Sequence, residues 1–429
     1  MRRVSCKSRE ADGAVAWTAH IAQGMCGTGS DHQLFDIDDA KDSFQVKGTQ
    51  AAIGYVAFLS HPPSTTNSPL VDLLVAAGAV FYCKTNLPQT MMTADSDNNI
   101  NGRTLNPHNP SLTAGGSTGG EGALIAMRGS VLGMATDIAG SCRIPALCCG
   151  VTSFKPSVGR IPMGGGVAPG RLGSPSAIQA VIGPVGWSVR DTELVMRTVC
   201  TSDTWMFDEG VLNVPWRRVE PVARPLRFGL IRGHPKRPLH PPVARALHSA
   251  TTKLKEKGHQ VVLLDDTIPD LWESAVLSYK FFKLDPKKTP FTILKAGGEP
   301  PVPSLKTASF KELGAWEPSL DELWDMNVER SKIVKRYHDL FVEHELDAVV
   351  MPGYQATAVP HDTYGVTVYT VLQNLLNVSM CEALWVKANA RQYPSGILPF
   401  QKAQKELDQP FFRSDAAYEP PCGSFLVSN

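Results

Sequence analysis

Residues 115–145 read GGSTGGEGALIAMRGSVLGMATDIAGSCRIP, and the rest of the chain is understood outward from them. Two serines, Ser117 and Ser141, each lie in a glycine-rich turn. Between them, Glu121 to Met127 has helical texture and Val131 to Ala135 is a short apolar run. Glycines flanking a serine let backbone amides approach a reacting atom with no side chain in the way. A run such as Asp137-Ile138-Ala139-Gly140-Ser141 can aim several N–H groups at one spot, which is what holding an oxyanion requires. A single glycine-rich loop reads as a phosphate cradle or an ordinary turn. Two of them, each with a serine, point to acyl chemistry.

The bulk composition narrows the classes. At 429 residues the chain is long for one domain, and length alone suggests two or three. Hydrophobic residues make up 43% and charged residues 19%, enough apolar material for a large core. A net charge of +1 offers nothing to nucleic acid or an anionic membrane surface. The nine cysteines contain no CxxC pair, and the adjacent Cys148-Cys149 suit reduced, buried thiols. The histidines form no HExxH or Cys/His ligand set, so no metal site is expected. No run reaches the 18 or so apolar residues of a membrane span. The basic start Met1-Arg2-Arg3 is followed by polar Ser5–Gly13 rather than a signal-peptide apolar region, so a cytoplasmic location is the expectation.

Residues 1–40 are weakly patterned. Beyond them, Pro69–Ala77 reads as a helix with Leu70, Leu73 and Leu74 on one face, stopped by Gly78 ahead of a strand at Ala79–Cys83. Helix, glycine and strand in that order predict parallel pairing. A Gly/Pro-rich loop at Gly159–Pro175 precedes a strand and helix over Ala177–Cys200, with Ser188 or Asp191 as N-cap. Strands at Arg227–Ile231 and Gln260–Leu264 flank a helix from Pro242 to Lys257. Residues 266–320 read as surface helices and loops, Leu320–His344 as a helix and Leu346–Pro352 as a buried strand. The alternation predicts a single α/β/α domain on a mixed, mostly parallel sheet with helices on both faces.

Gly115-Gly116-Ser117-Thr118-Gly119 satisfies GxSxG, the nucleophile turn of α/β-hydrolases, which needs a strand directly before the serine. Asn106-Pro107-His108-Asn109-Pro110-Ser111 cannot be a central strand, because proline lacks the ladder N–H. An esterase of that kind would also need a His–Asp pair near Ser117. Dinucleotide and P-loop spacings are absent after a strand. What remains is Lys41, Ser117 and Ser141, with Lys41 opening the patterned core where two serine loops need a base.

The block 115–145 resembles the signature of the amidase signature family, in its eukaryotic branch of acetamidases and fatty-acid amide hydrolases. Supporting matches are Lys41-Asp42 before Val46-Lys47-Gly48, Lys84-Thr85-Asn86-Leu87-Pro88-Gln89 and Arg103-Thr104-Leu105-Asn106-Pro107, with Phe154-Lys155-Pro156 and Gly183-Pro184-Val185 further on. The likeness covers roughly residues 41–377 and 393–420. It implies hydrolysis of a small-molecule carboxamide through an acyl-serine intermediate, without metal or cofactor, with a homodimer as an allowed assembly. It implies Ser141 as nucleophile, Ser117 as bridging serine behind a cis Gly116–Ser117 peptide, and Lys41 as a base whose pKa burial must lower. The amides of Ile138, Ala139, Gly140 and Ser141 would hold the oxyanion, with Met91 beside the acyl channel and Thr118 where the family usually has a second serine. Cys142 follows the nucleophile where an aliphatic residue is usual, and as a small hydrophobe it can simply pack.

The ends depart from the pattern. Asp36-Ile37-Asp38-Asp39-Ala40, just before Lys41, reads as too acidic for a buried strand. The reading is therefore an N-terminal segment 1–40 and a domain over 41–429 that stops about where the family adds its last strand and helix. Removing Val378–Gln392 joins Leu375-Leu376-Asn377 to Tyr393-Pro394-Ser395-Gly396 and restores a family-like run. Val-Ser, Ala388-Asn389 and Gln392 are codable as donor, branch point and acceptor of an intron, so these residues read as a translated intron, with a surface-loop insertion as the alternative. A second functional reading is an amidase-like protein without catalysis. The discriminator is whether Lys41 lies buried within hydrogen-bond reach of Ser117.

Overall fold

Ten strands pair into one sheet that carries the whole molecule. The structure is a computed structural model, and it describes residues 37–173, 177–217, 219, 222–382 and 424–427. In chain order the strands are β1 (Ile37–Lys41), β2 (Cys83–Thr85), β3 (Asp97–Asn98), β4 (Gly102–Arg103), β5 (Leu105–Asn106), β6 (Asn109–Thr113) and β7 (Leu132–Asp137). They continue with β8 (Thr152–Lys155), β9 (Val181–Gly186), β10 (Arg227–Leu230), β11 (Gln260–Leu263), β12 (Ala348–Met351), β13 (Ser379–Glu382) and β14 (Ser424–Val427). The helices are α1 (Pro69–Ala76), α2 (Gly119–Ala126), α3 (Arg143–Cys149), α4 (Val189–Thr201), α5 (Pro241–Glu256), α6 (Leu271–Phe282), α7 (Thr289–Ala296), α8 (Leu320–Glu343) and α9 (Leu372–Leu376).

The large sheet runs β11-β10-β12-β14-β13-β8-β9-β7-β1-β2, flanked by helices on both faces. Pairing is parallel at its two ends, β11-β10-β12 and β7-β1-β2, and antiparallel through the middle. The sheet is thus more evenly mixed than the alternation of helices and strands predicts. The reason lies in the connections. A parallel return needs a crossover, usually a helix, and the described residues of the Gly/Pro-rich stretch between β8 and β9 supply none, so β9 comes back antiparallel to both β8 and β7.

Asp36–Ala40 is the other correction to the sequence reading. β1 begins at Ile37 and runs parallel between β2 and β7, with Ala40 and Lys41 buried. A backbone ladder on both sides outweighs the polarity of its side chains. The prolines at 107 and 110 fall, as expected, outside the main sheet, in and beside the small two-stranded β5–β6 ladder. Both candidate caps of α4 are used: Ser188 Oγ accepts from the Asp191 N–H at 3.4 Å and Asp191 Oδ2 accepts from the Ser188 N–H at 2.7 Å, a closed capping box.

Two large apolar clusters fill the interior. One gathers Phe228, Leu247, Val349 and Val350 with Ile333, Tyr337 and Leu340 of α8. The other gathers Leu70, Leu73 and Leu74 of α1 with Met134, Ile182, Val195 and Val199. The first overturns the surface reading of 266–320, because α6 buries Leu271, Ala275, Leu277, Tyr279 and Phe281 in it. Of Val378–Gln392, Ser379–Glu382 form β13, an inner strand between β8 and β14, while residues 383–392 lie outside the described residues. The cysteines among the described residues are free thiols, all buried except half-buried Cys83. No helix among the described residues is long and apolar enough to cross a membrane.

Candidate active site

Three neighbouring elements converge on one buried spot. β1 ends at Lys41, which pairs with Thr85 of β2, while Ala40 pairs with Met134 of the inner strand β7. β7 leads into the turn 138–141 and then α3. The loop 115–118 leads into α2. Lys41 has no solvent exposure, and its Nζ lies 2.7 Å from Ser117 Oγ and 2.7 Å from Thr136 Oγ1. Ser117 and Ser141 are likewise buried, at 2% and 9% exposure.

The Gly116–Ser117 peptide is cis. Gly115 sits at φ +84°, where a Cβ would press on Pro145 and Ile144 of α3. The loop that carries Ser117 therefore packs directly on the first turn after Ser141, and only glycine permits that approach. A hydrogen bond links Ser117 to Lys41; none is found between Ser117 and Ser141 among the described residues.

Burial pushes the Lys41 ammonium down to about 7, against the opposing pull of Cys142, Asp137 and Glu121. A lysine at that value is substantially neutral in mildly alkaline water and can accept a proton. The Asp137 carboxyl is driven the other way. Burial pushes it up, but the Arg143 guanidinium prevails and holds it well below the usual carboxylate range. Arg143, fully buried, reaches Asp137 Oδ2 through Nε at 3.0 Å and Asp137 Oδ1 through Nη2 at 2.9 Å. Its Nη1 donates to Gln373 Oε1 at 2.6 Å and its Nη2 to Asn374 Oδ1 at 2.7 Å.

This pair shapes the turn 138–141. The Asp137 carboxylate accepts from the Gly140 N–H at 2.8 Å and the Cys142 N–H at 3.2 Å. Thr370 Oγ1 donates to the Ala139 carbonyl at 2.7 Å. Gly140 has φ +121°, and a Cβ there would run into Thr370 Oγ1. Of the four amides expected to face an oxyanion, that of Gly140 is therefore spent on Asp137. Those of Ile138, Ala139 and Ser141 make no hydrogen bond among the described residues.

Thr118 is the N-cap residue of α2, its Oγ1 at 3.5 Å from the Thr136 carbonyl. Met91 is half-buried and packs with Ile53, Tyr55, Leu87 and Leu294. Cys142 is buried, and burial pushes its thiol up, so it behaves as packing. A His–Asp pair does lie behind the loop, since the Asp95 amide is a close neighbour of Gly116. However, His361 contacts Asp95 through Nδ1 at 3.5 Å and turns Nε2 to the Pro110 carbonyl at 3.0 Å, not to a serine.

Thr136, Asp137 and Arg143 were not assigned side-chain roles by the sequence reading. Their signal was present: Thr and Asp end a strand whose six residues are all buried, and a polar residue there needs a partner. Thr370, Gln373 and Asn374 gave none, since more than two hundred residues separate them from the loop they hold.

Comparison with known proteins finds one family over most of the chain. The Amidase family profile matches residues 40–410. An amidase of Gibberella moniliformis is 34% identical over 371 residues, covering 86% of this chain and 66% of the relative. An acetamidase of Aspergillus oryzae is 33% identical with the same coverage. The chain thus spans just under two thirds of the length of these relatives. Among solved structures, a fatty acid amide hydrolase superposes with a TM-score of 0.77 at 28% identity, over 91% of this chain and 69% of that one.

Proposed function

This chain belongs to the amidase signature family, and on that premise we propose that it hydrolyses a carboxamide to a carboxylic acid and an amine or ammonia through an acyl-serine intermediate. The observation that carries the reading is the fully buried Lys41, with Nζ 2.7 Å from the hydroxyl of cis-linked Ser117. The same contact argues against the non-catalytic alternative, which required Lys41 to be out of reach.

In the proposed sequence neutral Lys41 takes the Ser117 proton while Ser117 takes that of Ser141. Ser141 Oγ then attacks the amide carbonyl carbon, and the carbonyl oxygen becomes an oxyanion facing the amides of Ile138, Ala139 and Ser141. As the C–N bond breaks, the proton held by Lys41 returns through Ser117 to the leaving nitrogen. Water, deprotonated along the same path, attacks the Ser141 ester, and the acid leaves as the serine regains its proton. Thr136 orients Lys41 through its hydroxyl, and the Asp137–Arg143 pair holds the turn on which the oxyanion donors sit. Proton handling by a positioned group is worth roughly 10²–10⁴-fold, and each oxyanion donor about 3 kcal/mol.

The test is labelling of the purified protein by a fluorophosphonate probe. Wild type is expected to label, Ser141→Ala to lose the signal entirely, and Lys41→Ala to react at least a hundredfold more slowly. A folded wild type that does not label, or a Ser141→Ala variant that does, contradicts the proposal.

A further inference from the structure

One buried hydroxyl outside the proposed catalytic group grips both ends of the loop that carries Ser117. Ser96 is fully buried. Its Oγ donates to the Gly115 carbonyl at 2.9 Å and accepts from the Gly119 N–H at 3.0 Å. Only Gly116, Ser117 and Thr118 lie between those two points. The grip answers a local need. Gly119 opens α2, and a first-turn N–H has no partner inside its own helix. The N-cap residue Thr118 makes no capping bond among the described residues, and its hydroxyl turns to the Thr136 carbonyl at 3.5 Å. Two other segments stand in, Ser96 for the Gly119 N–H and the Asn86 carbonyl for the Gly120 N–H at 3.1 Å.

Ser96 is itself firmly seated. Its carbonyl accepts from the Thr104 N–H at 2.8 Å, beside the β3–β4 ladder, where Arg103 joins Asp97 at 2.8 Å and Asp362 at 2.9 Å. The residue before it reinforces the same loop. Asp95 Oδ1 accepts from Thr113 Oγ1 at 2.9 Å, and Thr113 Oγ1 accepts from the Gly115 N–H at 2.9 Å. Gly115 is thus held through both its N–H and its carbonyl, and Gly119 through its N–H. A hydroxyl that passes a proton between two partners has to be fixed in relation to both. A displacement of about 1 Å can cost on the order of a hundredfold in rate.

We propose that Ser96 is a positioning residue of the reaction, its hydroxyl setting the place of Ser117 between Lys41 and Ser141. It acts through the loop backbone rather than on the reacting atoms, and the inference rests on the proton path proposed above. The test is the kinetics of fluorophosphonate labelling, with the inactivation rate constant kinact read apart from the binding constant KI, on variants with a wild-type far-UV spectrum. Ser96→Ala is expected to lower kinact on the order of a hundredfold while KI stays within about threefold. Ser96→Thr keeps the hydroxyl and adds a methyl, and is expected to react faster than Ser96→Ala. Were Ser96 only core packing, that order would reverse, because alanine fits the space and threonine overfills it. Ser278→Ala removes an equally buried hydroxyl on α6 and is expected to label like wild type. Wild-type kinact in Ser96→Ala, a threonine variant slower than the alanine one, or an equal fall in Ser278→Ala overturns the inference and leaves the Ser141 chemistry in place. A wild type that does not label, or that still labels after Ser141→Ala, removes the proton path itself and the role of Ser96 with it.

Discussion

A single ammonium group sets the pH behaviour expected of the site. With the Lys41 pKa near 7, the base is neutral above that value and protonated below it. Probe reactivity should rise with pH through about 7 and level off above. The same shift has a stability consequence whose sign is fixed. Lys41 binds its proton near 7 folded and near 10.5 unfolded, so between these values the unfolded chain holds more protons and stability rises with pH. The penalty is fully present below 7 and absent above 10.5, on the order of 5 kcal/mol in all. Lys41→Met is therefore expected to melt higher than wild type at pH 6, with a gap that closes as the pH approaches 10, while losing its reactivity. A gap independent of pH would mean that the lysine is charged in the folded protein. The serines were legible at this scale because glycine on either side of a reactive hydroxyl serves few other ends. The lysine was harder, because Asp38 and Asp39 made β1 look too polar to be buried, whereas its place rests on backbone ladders to two parallel neighbours.

The turn between β7 and α3 depends on one buried ion pair, Asp137 with Arg143, both without exposure. Such a pair is weak evidence of net stabilisation, since desolvation offsets its attraction. Removing one member is a different matter. Arg143→Met leaves the Asp137 carboxylate buried among donors it cannot all keep, and is expected to destabilise the fold by about 3–5 kcal/mol. The double variant Asp137→Asn/Arg143→Met should recover part of that loss in denaturant unfolding, while probe reactivity stays low because the Gly140 and Cys142 amides lose a charged acceptor. Additive losses would show that the two residues act separately. The elements themselves were legible where periodicity was strong: α5 and α8 fall within a residue of their expected bounds. The burial of α6 was missed because its surroundings are rich in prolines and charges, and its apolar face is broad rather than a narrow stripe, burying Ser274 and Ser278 beside Leu277 and Tyr279.

The sheet is built from two consecutive halves of the chain. β1, β2, β7, β8 and β9 form one side and β10 to β14 the other, and among the described residues the two sides of the sheet join where β8 pairs with β13. That junction could not be read from sequence, because antiparallel partners such as Lys155 and Met380 are far apart in the chain and share no local pattern. The candidate site straddles it: Lys41, Ser117 and Ser141 come from the first half, while Thr370, Gln373 and Asn374, which hold the turn 138–141 and Arg143, come from the second. The connection between the halves runs through an exposed stretch that includes Leu212, Val214 and Arg217 and forms no helix or strand among its described residues. Cleavage there removes chain connectivity but no contact around the site. Trypsin is expected to cut after Arg217, and the nicked protein should elute as one particle, because the β8–β13 ladder and the Arg143 hydrogen bonds still join the halves. Its reaction with the probe should stay within about threefold of intact protein, since loops of this kind govern connectivity rather than packing. Halves that separate on gel filtration without denaturant would show that covalent linkage holds the site together. Halves that stay together but no longer react would place a part of the machinery in the connection itself.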